Sequence, residues 1–282
     1  METLVHTLLE RVILCAITIA SVGCELTCSR SQVVEQATSL PSVDSIPAEQ
    51  VSAPGGVQGD PSTRPSRVRE FCVAQGAPLP WIQVIPPRID PRVPWVLALH
   101  GRGDTPFGFR SLIERLGVAL PVAIVEAPLA WRGGRGRQWF DARRQTIDGL
   151  GQAVDQVMAF SQWLQAHCPS HTRPILLGFS QGAMVALQAM VQHTEAFSAA
   201  VALSGYLLDD TRALPGSPRA PLLLSAGSQD KIISAEKTRH SMQVLTELGY
   251  SVEYAAFDGG HQVPPEVLTR IHRFLDAQGF GQ

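Results

Sequence analysis

The sequence lacks the long apolar run of a membrane-spanning helix, because no stretch of about 18 apolar residues occurs in its 282 residues. It has almost no net charge: 23 basic and 25 acidic side chains leave −2, which argues against binding of polyanions through overall charge. The five cysteines show no zinc-ligand spacing. We therefore expect no nucleic-acid partner, no metal and no other cofactor.

The N-terminal segment has the pattern of an export signal. Within residues 1–24, a short apolar stretch at residues 12–22 ends in a sequence that resembles a bacterial lipobox at Cys24. Cleavage there would make Cys24 the lipid-bearing first residue, although Ser21 stands where a leucine is usual. An ordinary cleaved signal or a misplaced start codon is the alternative.

Residues 25–67 differ from the rest of the chain because they are rich in Ser, Pro, Gln and Gly without a sustained apolar period. Such a composition buries too little apolar surface to fold, so we predict a flexible tether. Signal and tether together predict an exported protein, held at a membrane of the bacterial cell envelope through Cys24, or else periplasmic or secreted.

Residues 68–282 are predicted to form one folded domain of the α/β class. Its apolar runs are continuous rather than alternating, which is typical of parallel strands covered on both faces. Strand and helix alternate from residue 93 to the end, which predicts a mostly parallel, doubly wound sheet flanked by helices. Strands are predicted at residues 68–74, 79–85, 94–99, 122–125, 174–177, 199–203, 221–226 and 252–257, and helices from 104, at 148–167, 183–190 and 234–248, and from 264.

The chain is organised around Gly178-Phe179-Ser180-Gln181-Gly182, which follows an apolar strand and precedes a run of good helix formers. Gly-x-Ser-x-Gly at a strand-to-helix turn is typical of a nucleophile elbow, in which glycines leave room around a strained serine. The first amides of the following helix favour a developing oxyanion. The pattern alone is weak, so Ser180 needs partners elsewhere in the chain.

A histidine is the base that such a serine requires, because the hydroxyl is a poor nucleophile unless its proton is removed. In this kind of fold the order along the chain is serine, acid, histidine. Three histidines follow Ser180, and two of them, His240 and His272, lie inside predicted helices, where solvated side chains are expected. His261 lies in a glycine-rich loop after a strand and is the predicted base.

The acid is expected on another loop at the carboxyl end of a strand, upstream of His261. Asp230 occupies such a loop and is the predicted partner, although an aspartate there could simply cap a turn. Asp209 and Asp210, one strand earlier, are rivals, and Asp258 is too near His261 in sequence for the usual layout. Asp230 would orient the imidazole and stabilise its protonated form.

Five motifs together resemble the phospholipase/carboxylesterase family of α/β-hydrolases over about residues 80–278. They are Leu99-His100-Gly101-Arg102-Gly103-Asp104, Trp139-Phe140-Asp141, Gly178-Phe179-Ser180-Gln181-Gly182-Ala183, Gly227-Ser228-Gln229-Asp230 and Gly260-His261-Gln262-Val263-Pro264. The family includes bacterial carboxylesterases and acyl-protein thioesterases. The resemblance implies the α/β-hydrolase fold without a large cap domain, and metal-independent action on esters or thioesters.

An oxyanion hole needs two preorganised N–H donors. The amide of Gln181, the residue after the nucleophile, is one candidate, and the resemblance implies the Arg102 amide as the second. Family members commonly carry an apolar residue at the position of Arg102. Its side chain is either merely solvated or, with the arginine-rich loop at residues 131–144, favours a substrate with negative charge.

That arginine-rich loop is expected to face the substrate rather than nucleic acid. Trp131 and Trp139 are candidate walls of the acyl pocket, and a core role for Trp139 is an equal alternative. Cys72 and Cys168 remain in the folded part of the chain. Export would permit a disulfide, but two buried thiols are the expectation.

We therefore expect a serine esterase that cleaves short to medium carboxylic esters, or thioesters, with a small-molecule ester as its substrate. A polysaccharide acyl esterase of acetyl or feruloyl type and a polyester depolymerase share this chemistry and differ in the pocket. A non-catalytic tethered binding protein is disfavoured because no triad member is missing, and a cysteine-dependent lactone hydrolase because the elbow carries Ser180. The sequence leaves the oligomeric state open.

Overall fold

A computed structural model describes residues 72, 75–87, 90, 92–132, 134–141, 147–168, 170, 172–208 and 219–281. The predicted export signal at residues 1–24, its Cys24 and the tether at residues 25–67 lie outside the described residues and stay predictions. Within the described part of the chain, no helix is long and apolar enough to cross a membrane.

The fold is built on a seven-stranded sheet, parallel except for its first strand. Its spatial order is β1-β3-β2-β6-β7-β8-β9, and β1 pairs antiparallel with β3 at one edge. A separate hairpin joins β4 to β5. The strands are β1 Trp81–Val84, β2 Val96–Leu99, β3 Val122–Val125, β4 Leu129–Trp131, β5 Gly136–Gln138, β6 Ile175–Phe179, β7 Ala199–Leu203, β8 Leu222–Gly227 and β9 Val252–Phe257.

The helices cover both faces of this sheet. They are α1 Pro106–Leu116, α2 Ile147–His167, α3 Gln181–Gln192, α4 Ala235–Glu247 and α5 Pro265–Ala277. One apolar core joins α2, α3 and the end of α4 to one face, and a second joins α1 and α5 to the other. The central strands β2, β3, β7 and β8 are buried along their whole length, as expected for strands covered on both sides. The predicted α/β architecture, mostly parallel and doubly wound, is confirmed.

Helix α1 shows how local sequence sets an element beside the carboxyl edge of the sheet. The Thr105 hydroxyl accepts a hydrogen bond from the Gly108 amide at 3.2 Å, and Pro106 occupies the first turn, where a missing N–H costs nothing. The helix ends at Gly117, which adopts the left-handed conformation with φ of 60°. The predicted start of this helix is confirmed.

Cys72 and Cys168 form a disulfide, so the expectation of two free thiols is wrong. The bond joins the segment before β1 to the end of α2, across 96 residues of sequence, with 5.0 Å between the two Cα atoms. Sequence could not show this proximity, because it depends on where α2 ends relative to β1. Disulfides persist mainly in oxidising compartments, so the bond is compatible with the predicted export signal, which stays a prediction.

Breaking this disulfide is expected to lower the free energy of unfolding by about 3 kcal/mol, because the bond restricts a long loop in the unfolded chain. Urea unfolding of the wild type with and without reductant, and of the variant with both Cys72→Ser and Cys168→Ser, measures the effect. The reduced wild type and the double variant should unfold at the same urea concentration. An unchanged midpoint in reductant would show that the bond contributes nothing.

Candidate active site

The predicted elbow is a sharp turn between β6 and α3. Ser180 has φ of 54° and ψ of −117°, a conformation that costs free energy for any residue with a side chain. Its backbone is held from both sides, because its N–H donates to the Leu203 carbonyl at 2.8 Å and its carbonyl accepts from the amides of Ala183 and Met184. The strain is therefore offset by the sheet and the helix, and the serine side chain is left without a structural hydrogen bond among the described residues.

The glycines of the motif are required by close backbone contacts. A Cβ on Gly182 would overlap the Leu99 carbonyl oxygen and lie 2.7 Å from that of His100. A Cβ on Gly178 would overlap the Gly182 carbonyl oxygen. These contacts confirm that the Gly-x-Ser-x-Gly pattern belongs to a tightly packed turn rather than to a solvent loop.

Asp230 and His261, the acid and the base predicted from sequence, are joined by a hydrogen bond. The Nδ1 atom of His261 lies 2.6 Å from Oδ2 of Asp230, whose side chain is fully buried. The other oxygen of that carboxylate accepts the amides of Ile232 at 2.8 Å and Ile233 at 2.9 Å. These bonds fix the orientation of the carboxylate, and its Oδ2 atom accepts a hydrogen bond from Nδ1–H of His261.

The His261 ring lies beside the elbow. Its centroid is 4.8 Å from that of Phe179, the residue before Ser180. No hydrogen bond joins the Ser180 hydroxyl to His261 within the described residues, and such bonds are often long before substrate binds. His261 is therefore hydrogen-bonded to Asp230, and its ring packs against Phe179, the residue before Ser180.

The rival candidates are engaged elsewhere or exposed. Asp258 accepts hydrogen bonds from the Ser228 hydroxyl at 2.9 Å and the Gln229 side-chain amide at 2.8 Å, so it ties the loop after β9 to the loop after β8. His240 is exposed on α4, as expected. His272 is partly buried and bonds the Leu116 carbonyl at 2.6 Å, so the expectation that it is solvated is wrong. The rivals at residues 209 and 210 lie outside the described residues.

Two backbone amides are available near Ser180 for an oxyanion. The Gln181 amide starts α3 and has no intrahelical acceptor. The Arg102 amide has no hydrogen-bond partner among the described residues, whereas the next amide, that of Gly103, donates to Arg137 at 2.7 Å. Gly101, which precedes Arg102, packs against the elbow: a Cβ there would lie 3.5 Å from Cβ of Ser180.

The Gln181 side chain has a structural role that sequence reasoning missed. It is 4% exposed; its carbonyl oxygen accepts the Trp139 amide at 2.8 Å and its amide nitrogen donates to the Phe140 carbonyl at 2.7 Å. The Trp139-Phe140 stretch therefore packs on the elbow. The sequence shows the Trp139-Phe140-Asp141 motif and the elbow motif in their order and spacing. The hydrogen bonds between them form only in the folded protein.

His100 supports the loop that carries the Arg102 amide. Its ring is fully buried; Nε2 accepts the Ala127 amide at 3.1 Å, so Nδ1 carries the proton and donates to the Gly101 carbonyl at 2.8 Å. Burial lowers the pKa of His100 below its ordinary value, because the charged form loses its water. A neutral imidazole suits both hydrogen bonds, since a charged ring could not accept from Ala127.

The lowered pKa of His100 predicts a pH-dependent stability. The folded ring binds a proton less readily than the unfolded ring. The contribution of the neutral His100 ring to the free energy of unfolding is therefore complete above the unfolded pKa of about 6.5 and is lost as pH falls through the folded pKa. Below about pH 6.5 this adds a slope of up to about 1.4 kcal/mol per pH unit. Urea unfolding from pH 5 to 8 measures it. The slope should shrink in His100→Gln and persist in His240→Gln, whose ring is exposed; equal slopes in all three proteins would contradict the assignment.

The arginine-rich stretch is not an irregular loop, because it contains the β4–β5 hairpin. Arg137 joins that hairpin to the loop after β2: its carbonyl accepts from Gly103 and its amide donates to the Asp104 carbonyl at 2.9 Å. Its guanidinium pairs with Glu126 at 3.0 Å. Side-chain composition alone does not reveal such pairing, which forms only when the two loops meet.

The two tryptophans named as pocket candidates have different environments. Trp139 is 1% exposed and its ring N–H donates to the His100 carbonyl at 2.9 Å, so the core alternative describes it. Trp131 is partly buried and packs against Gly103, where a Cβ would lie 3.2 Å from its ring. The Arg132 guanidinium lies 5.3 Å from the Trp131 ring centroid. Trp131 stays a candidate for contact with substrate.

Several known proteins are similar to this chain in sequence or in fold. Acyl-protein thioesterase 1 of Gibberella zeae is 28% identical over 216 residues, which are 65% of this chain and 89% of that protein. Carboxylesterase SOBER1 of Arabidopsis thaliana is 23% identical and covers 64% of this chain and 89% of its own. Among solved structures, esterase PE8 is 24% identical with a TM-score of 0.61, covering 71% of this chain and 98% of its own, a likeness that shows the fold.

The sequence model of the family described as Phospholipase/Carboxylesterase matches residues 81–278, well over half of the chain and nearly all of its described part. This span contains the elbow, the Asp230–His261 pair and the loop after β2. The chain therefore belongs to the phospholipase/carboxylesterase family of α/β-hydrolases and is a carboxylic ester hydrolase.

Proposed function

We propose that the protein hydrolyses short to medium carboxylic esters, or thioesters, through a Ser180–His261–Asp230 triad and an acyl-enzyme. The observation that carries the proposal is the hydrogen-bonded Asp230–His261 pair, placed against Phe179 beside the strained Ser180. The names of the relatives, thioesterase and carboxylesterase, favour substrates in which an acyl group is attached to oxygen or sulfur.

The first half of the reaction acylates Ser180. Because Asp230 accepts Nδ1–H of His261, the lone pair of Nε2 is free to take the Ser180 proton as the hydroxyl oxygen attacks the acyl carbon. The buried carboxylate stabilises the protonated imidazole. His261 then gives that proton to the departing alcohol or thiol, and the acyl group stays on Ser180.

The second half returns the enzyme to its starting state. Water attacks the acyl-enzyme while His261 takes a proton from that water. His261 then gives the proton to the Ser180 oxygen, and the carboxylic acid leaves. In both halves the negative oxygen lies between the Gln181 and Arg102 amides. One donor of this kind lowers the barrier by about 3 kcal/mol. Because the donor at Arg102 is its backbone amide, the position of the loop after β2 matters more than the Arg102 side chain.

The experiment that tests the proposal is hydrolysis of p-nitrophenyl esters, from acetate to decanoate, by the full chain. Thioesters with the same acyl groups, followed by thiol release, show which leaving atom is preferred. Activity that rises and then falls with chain length would give the size of the acyl pocket. Absence of turnover on both series, with a folded protein, would contradict the proposal.

A further inference from the structure

A cavity of about 240 Å³ lies between the loop after β7 and helix α4. Its walls are mainly apolar, and one side is formed by two polar residues of the helix, Lys237 and His240, which lie one turn apart. The lining residues are Tyr206, Leu207, Leu208, Lys237, His240 and Val244, with Ser241 at the base of the loop.

The loop that lines the cavity also contacts the elbow. Gly205, which precedes the first lining residue, packs so tightly that a Cβ there would lie 3.2 Å from the Ser180 carbonyl oxygen. The Thr238 hydroxyl donates to the Gly205 carbonyl at 2.8 Å, and the Leu207 amide donates to the Ser241 hydroxyl at 2.9 Å. The loop is thereby fixed to α4, and its first residue that lines the cavity, Tyr206, follows the glycine that contacts the Ser180 backbone.

The charge of this cavity is not compensated. The Lys237 ammonium lies 4.9 Å from the Tyr206 ring centroid, and within the described part of the chain no carboxylate pairs with Lys237 or His240. Among the residues that the structure describes, no acidic residue lines the cavity. An apolar wall that leads to a cation fits a ligand with a methylene chain and a terminal anion.

We propose that this cavity is a substrate subsite for an acyl chain that ends in a carboxylate, which pairs with Lys237 while its methylene groups contact Leu207, Leu208 and Val244. The inference rests on the proposed function, since it names the substrate of the same site. Lys237 is one of the residues that line this cavity, and Arg102 is not. An ion pair is stronger beside apolar walls than in open water.

The test compares two series of chromogenic esters on the full chain. Mono-p-nitrophenyl esters of succinic, glutaric, adipic and suberic acid carry the charge, and neutral p-nitrophenyl esters with the same number of acyl carbons are the reference. The measured quantity is the ratio of kcat/KM for the charged ester to that for its neutral match, at pH 7 and low salt. We expect Lys237→Met to lower this ratio about fivefold, mainly through KM, and Lys237→Arg to restore most of it.

The matched control is Arg239→Met, which removes a cation from an exposed position of the same helix outside the cavity, and its ratio should equal that of the wild type. An unchanged ratio in Lys237→Met would overturn the subsite. A ratio that falls in Arg102→Ala but not in Lys237→Met would also overturn it, because the charge would then be recognised at the loop after β2.

A binding measurement separates this proposal from the proposed function. Calorimetry with monomethyl adipate and the Ser180→Ala protein needs no turnover, and adding Lys237→Met should weaken binding about fivefold. Binding that depends on Lys237 in a protein that hydrolyses no ester would support the subsite and contradict the hydrolytic role. Equal binding with and without Lys237 would overturn the subsite alone.

Discussion

Replacing Ser180 with alanine is expected to lower kcat on p-nitrophenyl esters by about 10⁴- to 10⁶-fold, because the nucleophile is lost and only the oxyanion donors and substrate binding remain. The fold should be unaffected. The backbone bonds of Ser180 to Leu203, Ala183 and Met184 do not involve its hydroxyl. Steady-state rates together with thermal unfolding of the same preparation measure both effects.

Ser204 offers a matched control for that substitution. It lies at the end of the neighbouring strand β7, also has a positive φ of 48°, and its buried hydroxyl has no hydrogen-bond partner among the described residues. Ser204→Ala should therefore keep most of the wild-type rate. If Ser180→Ala retained more than about a hundredth of the rate, or if the two variants lost activity equally, Ser180 would not be the nucleophile.

Replacing Asp230 with asparagine is expected to lower kcat by about 10⁴-fold with little change in structure. The carboxylate accepts from the Ile232 and Ile233 amides with one oxygen and from His261 with the other. An asparagine that keeps the two amides satisfied turns its own NH₂ toward His261. The ring must then present an acceptor at Nδ1, which leaves Nε2 protonated and unable to take the Ser180 proton.

Asp258→Asn is the control for this change, because Asp258 is the acid nearest to His261 in sequence. An asparagine oxygen can still accept from Ser228 and Gln229, so we expect less than a tenfold loss of kcat. The pH profile of kcat/KM adds an independent readout, since the acidic limb should change only in the Asp230 variant. Equal losses in the two variants would mean that Asp258 shares the role of the acid.

The positions of the candidate site residues in the fold could be predicted from sequence because these residues follow strong local signals. Ser180 lies between two glycines after an apolar strand, and His261 lies in a glycine-rich loop at the end of another. Parallel strands bring their carboxyl ends to one edge of the sheet, so residues far apart in the chain meet there. Asp258 was set aside for a different reason, its nearness to His261 in sequence, and the structure shows it bonded to Ser228 and Gln229.

The features that sequence did not reveal depend on contacts between segments. The distance between Cys72 and Cys168 depends on the length of α2. The hydrogen bond between His272 and the Leu116 carbonyl forms only because α5 packs next to the end of α1. The hairpin at Arg137 forms because the loop after β2 supplies hydrogen-bond partners. The buried Gln181 side chain is a similar case, since a glutamine at the start of a helix is ordinarily exposed.

The disulfide also determines where mechanical load enters the domain. Cys72 precedes β1, so a pull applied to the chain from its N-terminal side would reach the disulfide before it reached β1. From there the covalent bond passes the force to Cys168, at the end of α2, which packs on α3 behind the sheet. The edge strand β1 is held to β3 by four residue pairs, and its Trp81 packs against Trp95, Phe160 and Trp163. The bond thus diverts tension from this edge strand.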